Sequence, residues 1–465
     1  MTRPSPQQIL EWAVAGNGPR VGSAVVAIVT VESTVNLRWA GNTLTTNGTA
    51  STTSTTVVAI EPVSGGLGFG TQSGIVHSRS DLDSLLSAAQ SIATSSAPAE
   101  DAMDLPPVSS CVDWSAAPVK ADPIEFAAIT SKLGEIFRRG AASGVDYYGY
   151  AEFSVATTYL ATTTGTRLRD AIPSARFEMT AKSHDRGRST WVGQAGRNFQ
   201  EIDVTAAETE CLKQLQWQLR TIALKPGRHP TILSTSATAD LFVNLLWSAG
   251  ARDAIDGSSV FASAGGGTRL GEQLTSRLVT LASDPFDPAL GCTPFVVSGA
   301  SSPLSSVFDN GLPLERTEWL SKGYLKALLS TRYTAKLGGI ATTPFIDNVT
   351  LSDAAGHGTL SDLISRTENA ILLNCLWYIR DVDPQQLLLT GLTRDGAYQV
   401  RDGEVVGSVG NFRFNDSPVS LLARITDATE PTLTLPRELG DYFPRVRTPA
   451  LSVSEFNFST PSQAN

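Results

Sequence analysis

Histidine and cysteine are scarce: the 465 residues include 4 of each. A hydrolytic metal centre draws its ligands from imidazole, thiolate and carboxylate groups and keeps one position open for water. This chain has little of the first two. Cys111, Cys211, Cys292 and Cys375 lie far apart with no Cys-x-x-Cys pair. That excludes a zinc knuckle or a redox dithiol and leaves buried free thiols. Charge is thin as well, at 17% of residues, and 45 acidic side chains outnumber 36 Lys and Arg for a net charge of -9. With no basic run to offset that balance, a nucleic-acid surface is not expected. Long apolar runs are missing. The stretch Val21 to Val31 is too short to cross a bilayer and reads as a strand. The opening MTRPSPQQILEWAVAGNG lacks the charged-then-apolar layout of a signal peptide. The expectation is a cytoplasmic protein with no membrane contact, so the sequons at Asn47, Asn348 and Asn457 carry little weight. Two nucleophile signatures, Gly-x-Ser-x-Gly and Ser-x-x-Lys, are absent.

What remains is an apolar fraction of 41% distributed in alternating helical and strand patterns. The expected class is α+β: an N-terminal α/β domain over 1–95, a linker over 96–119, a central helix plus antiparallel meander over 120–225, and a β-rich domain over 226–465. Ile9, Trp12 and Ala13 give the first helix its stripe. The Gly16–Gly22 segment that follows has a faint phosphate-loop spacing in the wrong order, after a helix rather than a strand. Four strands are expected before a helix opened by Ser80-Asp81, with a hairpin at Asn47-Gly48. The 96–119 stretch carries prolines and small polar residues, as linkers do. A helix then runs from Pro123 to Gly140–Gly144, followed by three period-two strands. In the first of these, Tyr148 and Tyr150 share one face, which is either sheet core or, if exposed, a place for a peptide or a base; core is the expected state. A helix over Ala206–Ala223 carries Leu212, Leu215, Leu219 and Ile222 as its stripe.

The stretch His229 to Pro285 organises the rest. A short strand, Thr231–Leu233, and a capping Ser/Thr cluster lead to a helix apolar almost all the way round, with Val243, Leu245, Leu246 and Trp247 in its C-terminal half and Gly250 placed to end it. Then comes SSVFASAGGGTRLGEQLTSRLVTLASDP. Further on, PLERTEWLSKGYLKALLSTRYTAKLG reads as a hairpin with a Gly-centred turn and a short helix near Tyr333. A helix Thr359–Ser365, one strand ILLNCLWYIR and a hairpin TRDGAYQVRDGEVVG follow.

These words, in this order, resemble the TldD/PmbA family. They match its Ser-x-Phe and Gly-Glu-x-Leu-x-Ser run and its Tyr-x-Ala-Lys word, here Tyr333, Ala335 and Lys336. One branch of that family, TldD, is a metallopeptidase carrying His-Glu-x-x-x-His on the buried helix; the other, TldE or PmbA, accompanies it. The motif positions fall here on Phe242, Val243 and Trp247, none of which binds a metal. The cysteine that the catalytic branch uses near its C-terminus is missing from LTLPRELGDYFPRVRTPAL. The resemblance therefore implies no catalytic, cofactor or metal residue in this chain. It implies instead a TldE-like subunit whose TldD-like metallopeptidase partner holds the metal, zinc by expectation, and processes peptides. The family's Asn-Pro-x-Thr-Gly-x-Phe-Ser run is replaced by DVDPQQLLLTGLTRDG, and no role is carried over there. Two other readings stand beside this one: a self-sufficient hydrolase drawing on His184, His229 or His357, and a peptide-binding scaffold. His357 with Cys375 is a weaker candidate for a metal pair.

Overall fold

A computed structural model describes residues 3–15 and 22–462, so the Gly16–Gly22 turn falls, except for Gly22, outside the described residues. Helix α1 (Pro6–Ala15) precedes strands β1 (Ala24–Ala40), β2 (Thr43–Val63) and β3 (Gly66–Gly74), then helix α2 (Arg79–Ser95). Helix α3 (Thr130–Ser143) leads into β4 (Val145–Thr162), β5 (Arg167–Ser183) and β6 (Ser189–Gly196), and helix α4 (Val204–Trp217) follows. All six strands form one antiparallel sheet in the order β3-β2-β1-β4-β5-β6. The segments 1–95 and 120–225, expected as separate units, are thus two halves of a single sheet, joined where β1 pairs with β4.

Strand alternation explains how the sheet is covered. Odd-numbered side chains, among them Val25, Ala27, Val29, Trp39, Tyr147, Tyr159 and Phe177, bury one face under the four helices. Even-numbered Val26, Ile28, Val58, Leu160 and Leu168 turn the other way and pack on Phe295, Val307 and Phe308 of the C-terminal half. Tyr148 and Tyr150 point to this second face and are only half-buried, whereas Tyr147 and Phe153 are the core residues. The expectation of a buried Tyr148–Tyr150 pair was off by one step of the alternation.

Three strands, not four, precede α2, because the apolar run and the segment after it make one long β1. The turn is Gly41-Asn42, both at positive φ, rather than Asn47-Gly48. Asn42 decides this: its side chain accepts from the Tyr147 amide and donates to the Val145 carbonyl, both at 2.8 Å, stapling the turn to β4. Helix α2 starts at a capping box between Ser78 and Asp81. Helix α4 begins under the Asp203 cap and ends at Trp217. Its buried stripe is therefore Val204, Ala207, Cys211 and Leu215, while Leu219 lies beyond it and is exposed.

The C-terminal half holds two further sheets. Strand β7 (Thr221–Ile222) edges a ten-stranded mixed sheet, and β8 (Gly227–Leu233) lies inside it between Leu451–Pro461 and Asn369–Leu373. A six-stranded sheet includes Val279–Ser283 and Thr317–Ser321. The expected single strand ILLNCLWYIR is two, Asn369–Leu373 and Leu376–Asp383. Asn374 breaks it by turning its amide away to bond the Trp191 carbonyl at 2.7 Å. Among the described residues no helix is long and apolar enough to cross a membrane.

Candidate functional site: a filled motif helix and the recess beside it

Helix α5 (Thr235–Trp247) begins where Ser234 caps the Ala237 amide and donates to the Asn374 carbonyl at 2.5 Å. It runs through the core shared by the two C-terminal sheets, so Leu241, Phe242, Val243, Leu245 and Leu246 are all buried. Of the three motif positions, Phe242 and Val243 are fully enclosed by apolar neighbours. Trp247 is partly buried and stands edge-on to Tyr442 at 5.2 Å and to Phe443 at 5.8 Å. Phenylalanine, valine and indole offer no lone pair to a divalent cation, so these residues do not fit a metal.

One polar group interrupts the helix. Asp240, wholly buried, accepts from the successive backbone amides of Arg437, Glu438 and Leu439 at 3.1–3.2 Å. Burial pushes its carboxyl up to about 8, against the pull of those amides toward the ionised form. The same turn is gripped from its other side. The Arg437 guanidinium lies 3.7 Å from the Trp377 ring centroid and 5.3 Å from that of Trp191. The stretch that lacks the family's cysteine is therefore clamped onto the helix that lacks its histidines. In the sequence Asp240 is marked only as a lone carboxylate inside an otherwise apolar helix.

The histidines do not gather. His184 is exposed with its Nδ1 3.6 Å from Asp146, His229 meets the Lys225 carbonyl at 2.8 Å, and His357 meets the Ala355 carbonyl at 3.1 Å. His77 is exposed at the start of α2. Cys375 is buried against the Arg394 carbonyl at 3.3 Å, not beside His357. Among the described residues no three His, Cys, Asp or Glu side chains are grouped to hold an ion. Tyr333 does reach a polar neighbour, donating to Glu100 at 2.8 Å, and Glu100 also pairs with Arg252 at 3.0 Å.

A recess of about 310 Å³ opens between the far face of the N-terminal sheet and the C-terminal half. Thr158 of β4 forms one wall; Phe295, Ser298, Leu304, Phe345 and Asp347 are on the other. It adjoins the motif helix through rings, since Phe345 is edge-on to Phe443 at 6.0 Å and Phe443 to Trp247. Asp170, directly across the ladder from Thr158, is lifted above its ordinary value by burial. Burial raises Asp347 likewise. Cys292 between them is pushed up to about 12, first by burial and then by the Asp347 charge. Asp170 and Asp347 sit in the unremarkable words RDA and IDN, which carry no local signal of burial.

The fold defines a two-part α+β protein whose second half packs a central apolar helix into the core shared by its two sheets. Residues 226–460 match the model of the PmbA/TldA metallopeptidase C-terminal domain, and the chain belongs to that family. Solved structures agree over nearly the whole length. TldE from Thermococcus kodakarensis superposes with a TM-score of 0.77 at 17% identity, covering 97% of this chain and 99% of that one. Two proteins described as candidate modulators of DNA gyrase, from Thermotoga maritima and Bacteroides thetaiotaomicron, each give 0.73 at 14% identity. They cover 97% and 98% of this chain and 98% of their own. At these identities the likeness is one of fold. No curated protein sequence matches the chain.

Proposed function

We propose that this chain is the non-catalytic, TldE-like subunit of a cytoplasmic heterodimeric metalloprotease. A TldD-like partner holds the metal, zinc by the chemistry of a His-Glu-x-x-x-His helix, and cleaves unfolded peptides or peptide precursors. The observation that carries this reading is the occupancy of the motif positions. Phe242 and Val243 are packed into the core and Trp247 stands edge-on to Phe443, so neither ligand nor acid/base group is present where the family's catalytic branch has them. In the same reading, the Asp240 clamp preserves the shape of the motif helix without its chemistry.

The test is purification of the chain alone and co-expressed with a TldD-like protein, with metal analysis of each band and a peptide-cleavage assay. A stable one-to-one complex with metal confined to the partner is expected. Stoichiometric metal in the lone chain, or peptide cleavage by it, overturns the proposal.

A further inference from the structure

Strand β2 is longer than the strand that covers it. On its inner side β1 pairs with it from Ile60 down to Thr43. On its outer side β3 reaches only from Val63, opposite Gly66, to Thr55, opposite Gly74. The twelve residues Thr43–Ser54 therefore present an open row of backbone donors and acceptors, about 40 Å long. All of them except Gly48 and Thr53 are exposed. Among the described residues no backbone or side-chain group bonds to that outer side.

The two terminal strands of the same sheet are treated differently. Ala99 donates to the Leu67 carbonyl of β3 at 2.8 Å. On β6, the Gln218 side chain accepts from the Ser189 amide at 3.1 Å and donates to the Ser189 carbonyl at 2.8 Å, while Asn374 donates to the Trp191 carbonyl at 2.7 Å. Nor does the open stretch carry what keeps an exposed strand single. TLTTNGTASTTS has no charge and no proline, and its one irregularity, opposite Arg38 and Trp39, lies beside the turn.

Composition indicates what fits. Eight of the twelve side chains are Thr or Ser. Where this sheet does pair, it sets such hydroxyls against each other: Thr56 of β2 meets Ser73 of β3 at 2.8 Å, and Thr30 of β1 meets Thr158 of β4 at 3.4 Å. A second β2 running antiparallel offers the same hydroxyls in return and, being uncharged, adds no repulsion along the ladder. The ends match as well. Leu44, 48% exposed, stands at one end of the open edge, and Ile75, 59% exposed, follows Gly74 at the other. Antiparallel pairing carries Leu44 of each copy to the Ile75 end of the other. We propose that two copies of this chain pair through Thr43–Ser54 about a two-fold axis near Thr49, joining their N-terminal sheets into a continuous one. A ladder of this length is at the small end for a specific interface, so the dimer is a reversible one. The proposal rests on no part of the heterodimer reading above.

The experiment is sedimentation equilibrium of the full chain, alone, over a range of concentrations. A monomer–dimer equilibrium in the micromolar range is expected. Thr49→Lys, which sets two ammonium groups against each other near the axis, should weaken it at least tenfold; Thr49 is exposed, so circular dichroism and melting should be unchanged. Cross-linking supplies a second measurement. In a Cys111→Ser background, Leu44→Cys with Ile75→Cys should yield a linked dimer with a short bis-maleimide, and neither substitution alone should. Within one chain the two positions lie about 35 Å apart along the strand, beyond that reagent's reach. A monomer at every concentration, a dimer indifferent to T49K, or linkage of the Leu44→Cys chain by itself overturns the proposal. So does a monomer that binds a TldD-like protein and releases it on Thr49→Lys, which assigns the edge to that protein. A dimer of this chain that recruits no TldD-like protein supports the proposal and sinks only the heterodimer.

Discussion

Asp240 and Leu439 are 199 residues apart in sequence and 3.1 Å apart in space, carboxylate oxygen to amide nitrogen. Two neighbouring amides make the same contact, so one side chain on the motif helix organises a whole turn of the C-terminal segment. Asp240→Ala is expected to leave three backbone donors without their partner, that of Leu439 fully buried, and to cost about 3 kcal/mol. Urea denaturation measures the cost, and early proteolytic cleavage within 435–445 would locate it. A variant as stable as the parent would show that the turn is held by the Arg437 stack alone.

The same residue makes a pH prediction with a definite sign. The unfolded chain releases the Asp240 proton near pH 4, about the ordinary value, whereas the folded protein holds it up to about 8. A folded-state pKa above the unfolded one means a contribution fully present below pH 4 and lost as pH rises to about 8, by at most about 1.4 kcal/mol per unit. Asparagine does not titrate. The stability of the parent relative to Asp240→Asn should therefore decline between pH 5 and 8, and a pH-independent difference would contradict the assignment.

Restoring the motif should not restore the metal. Phe242→His, Val243→Glu and Trp247→His made together would place polar groups in a space shaped for rings and a branched chain, with no cysteine on the facing segment to complete the set. Loss of packing at Phe242 alone is expected to cost about 3–5 kcal/mol. The triple variant should purify with a lowered melting temperature and without stoichiometric zinc by elemental analysis.

Gly149 and Trp39 give a test of the N-terminal sheet. They face each other in the β1–β4 ladder, and the indole lies over the space where a Cβ would stand, stacked at 5.6 Å on Phe177. Gly149→Ala would collide with that indole and with the Glu178 carbonyl. It should cost about 1–3 kcal/mol by overpacking, read by thermal melts, and Trp39→Leu in the same chain should recover part of it.

What the sequence made legible was whatever repeats locally. The burial of α5, its Ser/Thr cap, the hairpins at Gly323 and Gly403, and the three-strand meander all followed from periodicity and turn residues. Non-local choices were not legible. Gly41-Asn42 and Asn47-Gly48 are comparable turn signals, and the bonds from Asn42 to β4, more than 100 residues on, settle between them. Asn374 splits a strand by bonding Trp191 in the other half of the molecule. Asp240, Asp170 and Asp347 become conspicuous only once their surroundings are known, because a carboxylate in an apolar word looks the same whether it faces water or a buried amide.

The union of β1 with β4 runs from Val26–Thr162 to Trp39–Gly149, so the backbone on both sides of residues 96–119 is sewn into one ladder. A protease that severs this stretch would release nothing; the two pieces would elute together in native buffer and part only in denaturant. New chain ends could be opened there for circular permutation or for inserting a reporter. Producing either piece by itself would instead bare a long, sticky strand margin that its sibling normally covers.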